Sequence, residues 1–194
     1  MVQSIVTSIA IMAASIISGL VLNKTLQKKF QMNQASVFIL ISISAMLILL
    51  FSFGYTILTV KGYIFSVLLL YASVSDIETM EVPDTIHIMI AITALIGITR
   101  VQVIPMILGF VLIPLPLIVA SIIKKYSIGG ADIKLMAASA FLLGFEKGLL
   151  ALIIGLVLAI ISIFIFRKIK RKETNSEFPL VPYLSIGCLI VYLL

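Results

Sequence analysis

Long apolar runs separated by short polar clusters form the dominant pattern of the chain. Residues 4–22, 36–60, 63–75, 85–99, 103–123, 131–145, 149–166 and 178–194 are apolar and nearly uncharged. At about 20 residues per bilayer crossing, this pattern predicts about eight membrane-spanning helices, with 63–75 and 131–145 short. Between the runs lie a polar loop at 23–35 with Lys24, Lys28 and Lys29, tight connections at Lys61-Gly62, Arg100-Val101-Gln102 and Glu146-Lys147-Gly148, and polar segments at 76–84 and 124–130. A dense basic run at 167–172 and a polar linker at 173–176 precede the last apolar run. Pro83 disfavours helix at Val82 and suits the first turn of a new helix. Pro105, Pro114 and Pro116 predict a kinked helix over 103–123.

Composition agrees with this reading. The 194 residues are 62% hydrophobic and 11% charged, with a mean hydropathy of +1.28, against about 25% charged for an average soluble domain. That polar surface is too small to cover a soluble core, so the fold class is all-α, a polytopic membrane helix bundle. A cleaved signal peptide at 4–22 is disfavoured, because residues 1–10 carry no Lys or Arg and no small-residue cleavage site follows. The single cysteine, Cys188, excludes an intramolecular disulfide and a CxxC zinc site, and reads as packing. A net charge of +6 raises the question of nucleic acid. Basic residues flanking apolar spans are instead topology signals or contacts to anionic lipid, and no aromatic-interleaved basic stripe is present. Asn23-Lys24-Thr25 matches a glycosylation sequon, a weak pattern.

Charge orients the bundle. Alternate connections place Lys24, Lys28, Lys29, Lys124, Lys125, Arg167, Lys168, Lys170, Arg171 and Lys172 on one side, and only Lys61, Arg100 and Lys147 on the other. The positive-inside rule makes the first side cytoplasmic. Asp76, Asp84 and Asp132, the only aspartates, then share the cytoplasmic face. An ionisable residue at the mouth of a membrane helix is a functional-site candidate by default. Asp76 ends one apolar run and Asp132 opens another. Two carboxylates held close together cannot both ionise cheaply, so the charged one can activate a water while the protonated one polarises a carbonyl. That division of labour hydrolyses a peptide bond without a covalent intermediate.

No other catalytic set competes. His87, the only histidine, follows Asp84 at a helical start and reads as a capping or packing residue, and a triad built on it is nearly unsupported. Asp76, Asp84, Glu81 and His87 match no specific metal-ligand spacing, so neither metal nor cofactor is expected. Gly129 and Gly130 allow unusual backbone angles and close approach of an extended peptide. Asp132 near a helix N-terminus is favoured as an anion, with Lys134 expected to push the same way.

At these residues the chain resembles the type IV prepilin peptidases, membrane aspartyl proteases of the GxGD class. Gly129-Gly130-Ala131-Asp132-Ile133-Lys134 resembles the family's Gly-x-Gly-Asp-x-Lys stretch, with Ala131 where the family usually has Gly. Asp76 and Asp84, with Pro83, match the family's Asp-x7-Asp segment, and Glu177 to Gly187 looks like the start of its last helix. The resemblance covers roughly residues 63–194, which leaves 1–60 as two leading helices of a single domain. It implies cleavage of a short basic leader, after glycine, from prepilins or pseudopilins at the cytoplasmic face of the inner membrane. Asp76 and Asp132 map onto its catalytic dyad, and Asp84 onto an acidic position in the loop that supports the site or meets the basic leader. Glu78 and Glu81 are candidates to face basic leader residues. The cysteine-bearing insert of bacterial members is absent, so N-methylation is not expected. Three alternatives stand: a GxGD protease acting on other membrane peptides, a small proton- or cation-coupled carrier or channel, and an inactive structural subunit of a pilus or secretion assembly.

Overall fold

The computed structural model of the chain describes residues 2–30, 35–97, 103–124, 128–170 and 178–194. The Arg100-Val101-Gln102 connection, the 173–176 linker, and parts of the 23–35, 124–130 and 167–172 segments lie outside them. Every element among the described residues is an α-helix or a short connection. The first compact unit, Met1–Val67, holds α1 (Val2–Phe30), α2 (Ala35–Phe53) and the first half of α3 (Ile57–Thr79). The second, Leu68–Leu194, continues along α3 into α4 (Asp84–Ala94), α5 (Val103–Leu112), α6 (Leu115–Ile123), α7 (Gly130–Leu143), α8 (Phe145–Lys170) and α9 (Val181–Leu193).

Four described segments are long and apolar enough to cross a membrane: Ala35–Phe53, Ile57–Thr79, Val103–Ile123 and Phe145–Phe166. The chain is a membrane protein, and the expected all-α helix bundle is what it forms. In the first unit α1 packs on α2. Gly19 makes this approach possible, since a Cβ there would stand 2.8 Å from the Ile39 Cα. The hydroxyls of Ser18 and Tyr63 hydrogen-bond to each other.

Several boundaries differ from those predicted. Helix α1 continues through Asn23 to Phe30, where a loop was expected, because scattered lysines are good helix formers and do not end a helix. The break between α2 and α3 falls at Gly54, whose φ of +61° suits glycine, rather than at Lys61-Gly62. Lys61 is buried within α3. Helices α7 and α8 meet at Gly144, with φ +83°, so Glu146-Lys147-Gly148 belong to the start of α8 rather than to a connection. The predicted kink is present. Pro114 has no N–H to continue the ladder, and residues 103–123 divide into α5 and α6 around Ile113-Pro114.

The second unit is built round α7, which packs against α4, α5, α8 and α9. Its small residues let backbones come close, the usual basis of helix association where lipid removes the hydrophobic drive. A Cβ on Gly109 of α5 would meet the Ala140 carbonyl oxygen at 2.5 Å, and one on Gly148 of α8 would meet the Ala140 Cβ at 2.9 Å. Helices α8 and α9 approach in the same way. A Cβ on Gly187 would meet the Ala151 oxygen at 2.4 Å and the Gly155 nitrogen at 2.8 Å.

Candidate active site

Asp76 lies in the last turn of α3 and Asp132 in the first turn of α7, both buried at 5% and 7% exposure. The two helix ends are linked through α9, whose first residue meets Asp76 and which packs on α7. Burial of a carboxylate demands donors, and each has one backbone donor at a helix start. Asp132 reaches back to its own N-cap, where the Gly129 N–H donates to Oδ2 at 3.1 Å. This is the acidic half of a capping box, the glycine having no side chain to return it. The other oxygen, Asp132 Oδ1, is buried without a hydrogen-bond partner. Asp76 Oδ2 accepts the Val181 N–H at 3.1 Å, from the first residue of α9.

The segment between α3 and α4 is a strap fastened by hydroxyls. Ser75 Oγ donates to the Glu81 carbonyl at 2.7 Å, and Thr79 Oγ1 lies 2.9 Å from the Ser75 oxygen and 3.3 Å from that of Glu81. Met80 turns the chain with φ +54°, while its N–H donates to the Asp76 carbonyl at 2.9 Å. Asp84 opens α4 just after Pro83, the N-cap. Its exposed carboxylate accepts Lys134 Nζ at 2.7 Å, which ties the start of α4 to the first turns of α7. That hydrogen bond and the lysine charge hold the Asp84 carboxyl below its ordinary range, with a smaller contribution from His87.

Met80, Glu81, Val82, Asp84, Gly130, Ala131 and Lys134 line an open cleft of ≈ 410 Å³. Residues from both expected motifs therefore share one depression. Neither Asp76 nor Asp132 lines it.

Lys134 pairs with Asp84 rather than acting on Asp132. Residues two apart on a helix do not face each other, which explains this departure from expectation. Gly129 and Gly130 adopt ordinary extended and helical angles, so their role is room rather than unusual conformation. A Cβ on Gly130 would meet nothing within 4 Å. Glu81 reaches the cleft, whereas Glu78 is exposed on α3 and outside its lining. His87 is buried, with Nδ1 3.8 Å from Asp84 Oδ1, beyond hydrogen-bond reach. Among the described residues no cluster of His, Cys, Asp or Glu could hold a metal ion. Sequence reasoning missed Val181, whose contribution is a backbone amide and leaves no side-chain signal.

Residues 63–165 match the type IV leader peptidase family, and the match takes in both aspartate-bearing motifs. The chain belongs to this family. It is thus a leader-peptidase-like membrane protease of the aspartic class. No curated protein and no solved structure matches the chain.

Proposed function

We propose that this leader peptidase family member removes the short basic leader from type IV prepilins or pseudopilins, cutting after glycine at the cytoplasmic face, with Asp76 and Asp132 as its catalytic dyad. The observation that carries the reading is the pair itself: two buried carboxylates at helix ends, each held by one backbone N–H, with Asp132 Oδ1 left without a partner. Their place at helix ends, rather than mid-helix, favours a substrate arriving from the aqueous side over transport across the bilayer.

The ionised aspartate takes a proton from water as the water oxygen bonds to the scissile carbonyl carbon. The protonated aspartate hydrogen-bonds the carbonyl oxygen as negative charge develops there. Collapse of the tetrahedral intermediate breaks the C–N bond, and a dyad proton passes to the departing amine. The atoms balance as one water added across one amide, with no covalent enzyme intermediate.

The cleft supports the same reading. Glu81 offers an exposed carboxylate to a Lys or Arg of the leader, and Asp84 becomes available to a basic residue that displaces Lys134. Open space at Gly130 leaves room for a peptide backbone beside the first turn of α7.

The test is co-expression with a prepilin, reading the mobility shift of the cleaved product at matched membrane levels. Wild type is expected to shorten the substrate and leave a new N-terminus following the leader glycine. Failure of wild type, while a known peptidase cuts the same prepilin in parallel, would overturn the assignment.

A further inference from the structure

We propose that the backbone amide of Val181, at the first position of α9, positions the Asp76 carboxylate and that its loss uncouples Asp76 from the dyad. The inference rests on Asp76 and Asp132 being that dyad. Val181 lies outside residues 63–165 and 105 positions from Asp76.

The local sequence leaves this amide with one task. The first N–H groups of a helix have no acceptor within it. Pro182, the second residue of α9, has no N–H at all, while those of Tyr183 and Leu184 both donate to the Leu180 carbonyl, at 3.1 and 3.2 Å. The Val181 N–H is therefore the one donor of that first turn aimed at another element. It meets the buried Asp76 Oδ2 at 3.1 Å, adding the positive end of the α9 dipole.

The two aspartates are held by different means. Asp132 takes its donor from Gly129, three residues back on its own helix, so its orientation is a property of α7 alone. Asp76 has its side-chain oxygen fixed by an element that must first dock. That element is seated by α8, through the close approach of Gly187 to Ala151 and Gly155. Val181 is a positioning residue acting through its backbone, and its buried side chain packs rather than reacts.

The decisive variant replaces the amide at position 181 with an ester by incorporating the α-hydroxy analogue of valine. This deletes the N–H and keeps the side chain. Kinetics with a prepilin are expected to show kcat lower by about 10- to 100-fold, the worth of one hydrogen bond to a charged group, with KM nearly unchanged. Val181→Ala, which keeps the amide, loses much less kcat than the ester form. An ester enzyme with wild-type kcat, a matching rise in KM, or an equal loss in Val181→Ala would each overturn the proposal.

A second readout does not depend on cleavage. The infrared difference spectrum between amide and ester proteins is expected to show a shifted carboxyl band that disappears in the Asp76→Asn background. Absence of that shift overturns the proposal even if the substrate assignment stands. Its presence in a protein that cuts no prepilin upholds the amide contact and removes the leader-peptidase reading alone.

Discussion

The contact between α8 and α9 makes a sharp prediction for Gly187→Ala. The new Cβ would stand 2.4 Å from the Ala151 oxygen and 2.8 Å from the Gly155 nitrogen. Restoring ordinary contact at 3.4 Å moves the two backbones apart by about 1 Å. Overpacking of this kind costs about 1–3 kcal/mol, while alanine in a helix recovers about 1 kcal/mol over glycine. Gly130→Ala supplies the comparison, since its Cβ meets nothing within 4 Å. Thermal unfolding in detergent should therefore place Gly187→Ala below Gly130→Ala, the overlap accounting for the difference. A shift of that size at the start of α9 is enough to break the 3.1 Å bond from Val181 to Asp76. A reacting group misplaced by about 1 Å loses about 10²-fold in rate, so leader cleavage by folded Gly187→Ala is expected to fall by that order. If the two variants unfold alike and Gly187→Ala cleaves at the wild-type rate, the reasoning is refuted.

Asp76→Asn and Asp132→Asn are each expected to lower cleavage by at least about 10³-fold while still inserting in the membrane, and Asp84→Asn to be milder; a wild-type rate in the Asp132→Asn variant removes it from the dyad. Acid stability should depend on Lys134. Because Lys134 holds the folded Asp84 carboxyl below its unfolded value, the pair's contribution is present above the unfolded carboxylate pKa of about 3.9 and is lost as pH falls through the lower folded value. Lys134→Gln should therefore be less stable near neutral pH and converge with wild type at the acid end, and parallel acid-unfolding curves would contradict this. Met80 holds φ +54°, a region that costs a non-glycine residue about 1–2 kcal/mol, so Met80→Gly should raise the unfolding temperature; a lower one would show that side-chain contacts of Met80 outweigh the strain.

Much of the site could be read from residue order alone. Asp76 and Asp132 stand where an apolar run meets a polar segment, and burial at helix ends follows from that placing. Pro114 likewise announced the break between α5 and α6, because a missing N–H acts locally. Boundaries set by tertiary packing were not legible. Lys61 looked like a connection because a charge interrupts an apolar run, yet it is buried in α3, while Gly54 carried the turn with no charge beside it. Lys134 and Asp84 were each visible as candidates. Their pairing across 50 positions depends on how α4 meets α7. The Val181 amide had no signature, since every residue except proline carries one.

Helix α7 is gripped at Ala140 by glycine contacts from α5 and α8, so the wall bearing Asp132 has little freedom to yield. The carboxylates are not in the lining of the cleft, whose other wall is the strap between α3 and α4. The strap is held by the hydroxyls of Ser75 and Thr79, and its junction with α4 by the exposed ion pair of Asp84 with Lys134. Dissolved salt screens such a pair. Ionic strength thus becomes a handle on the tie between the start of α4 and α7: it loosens as salt rises, while the hydrogen bonds of the buried Asp76 and Asp132 carboxylates are screened much less.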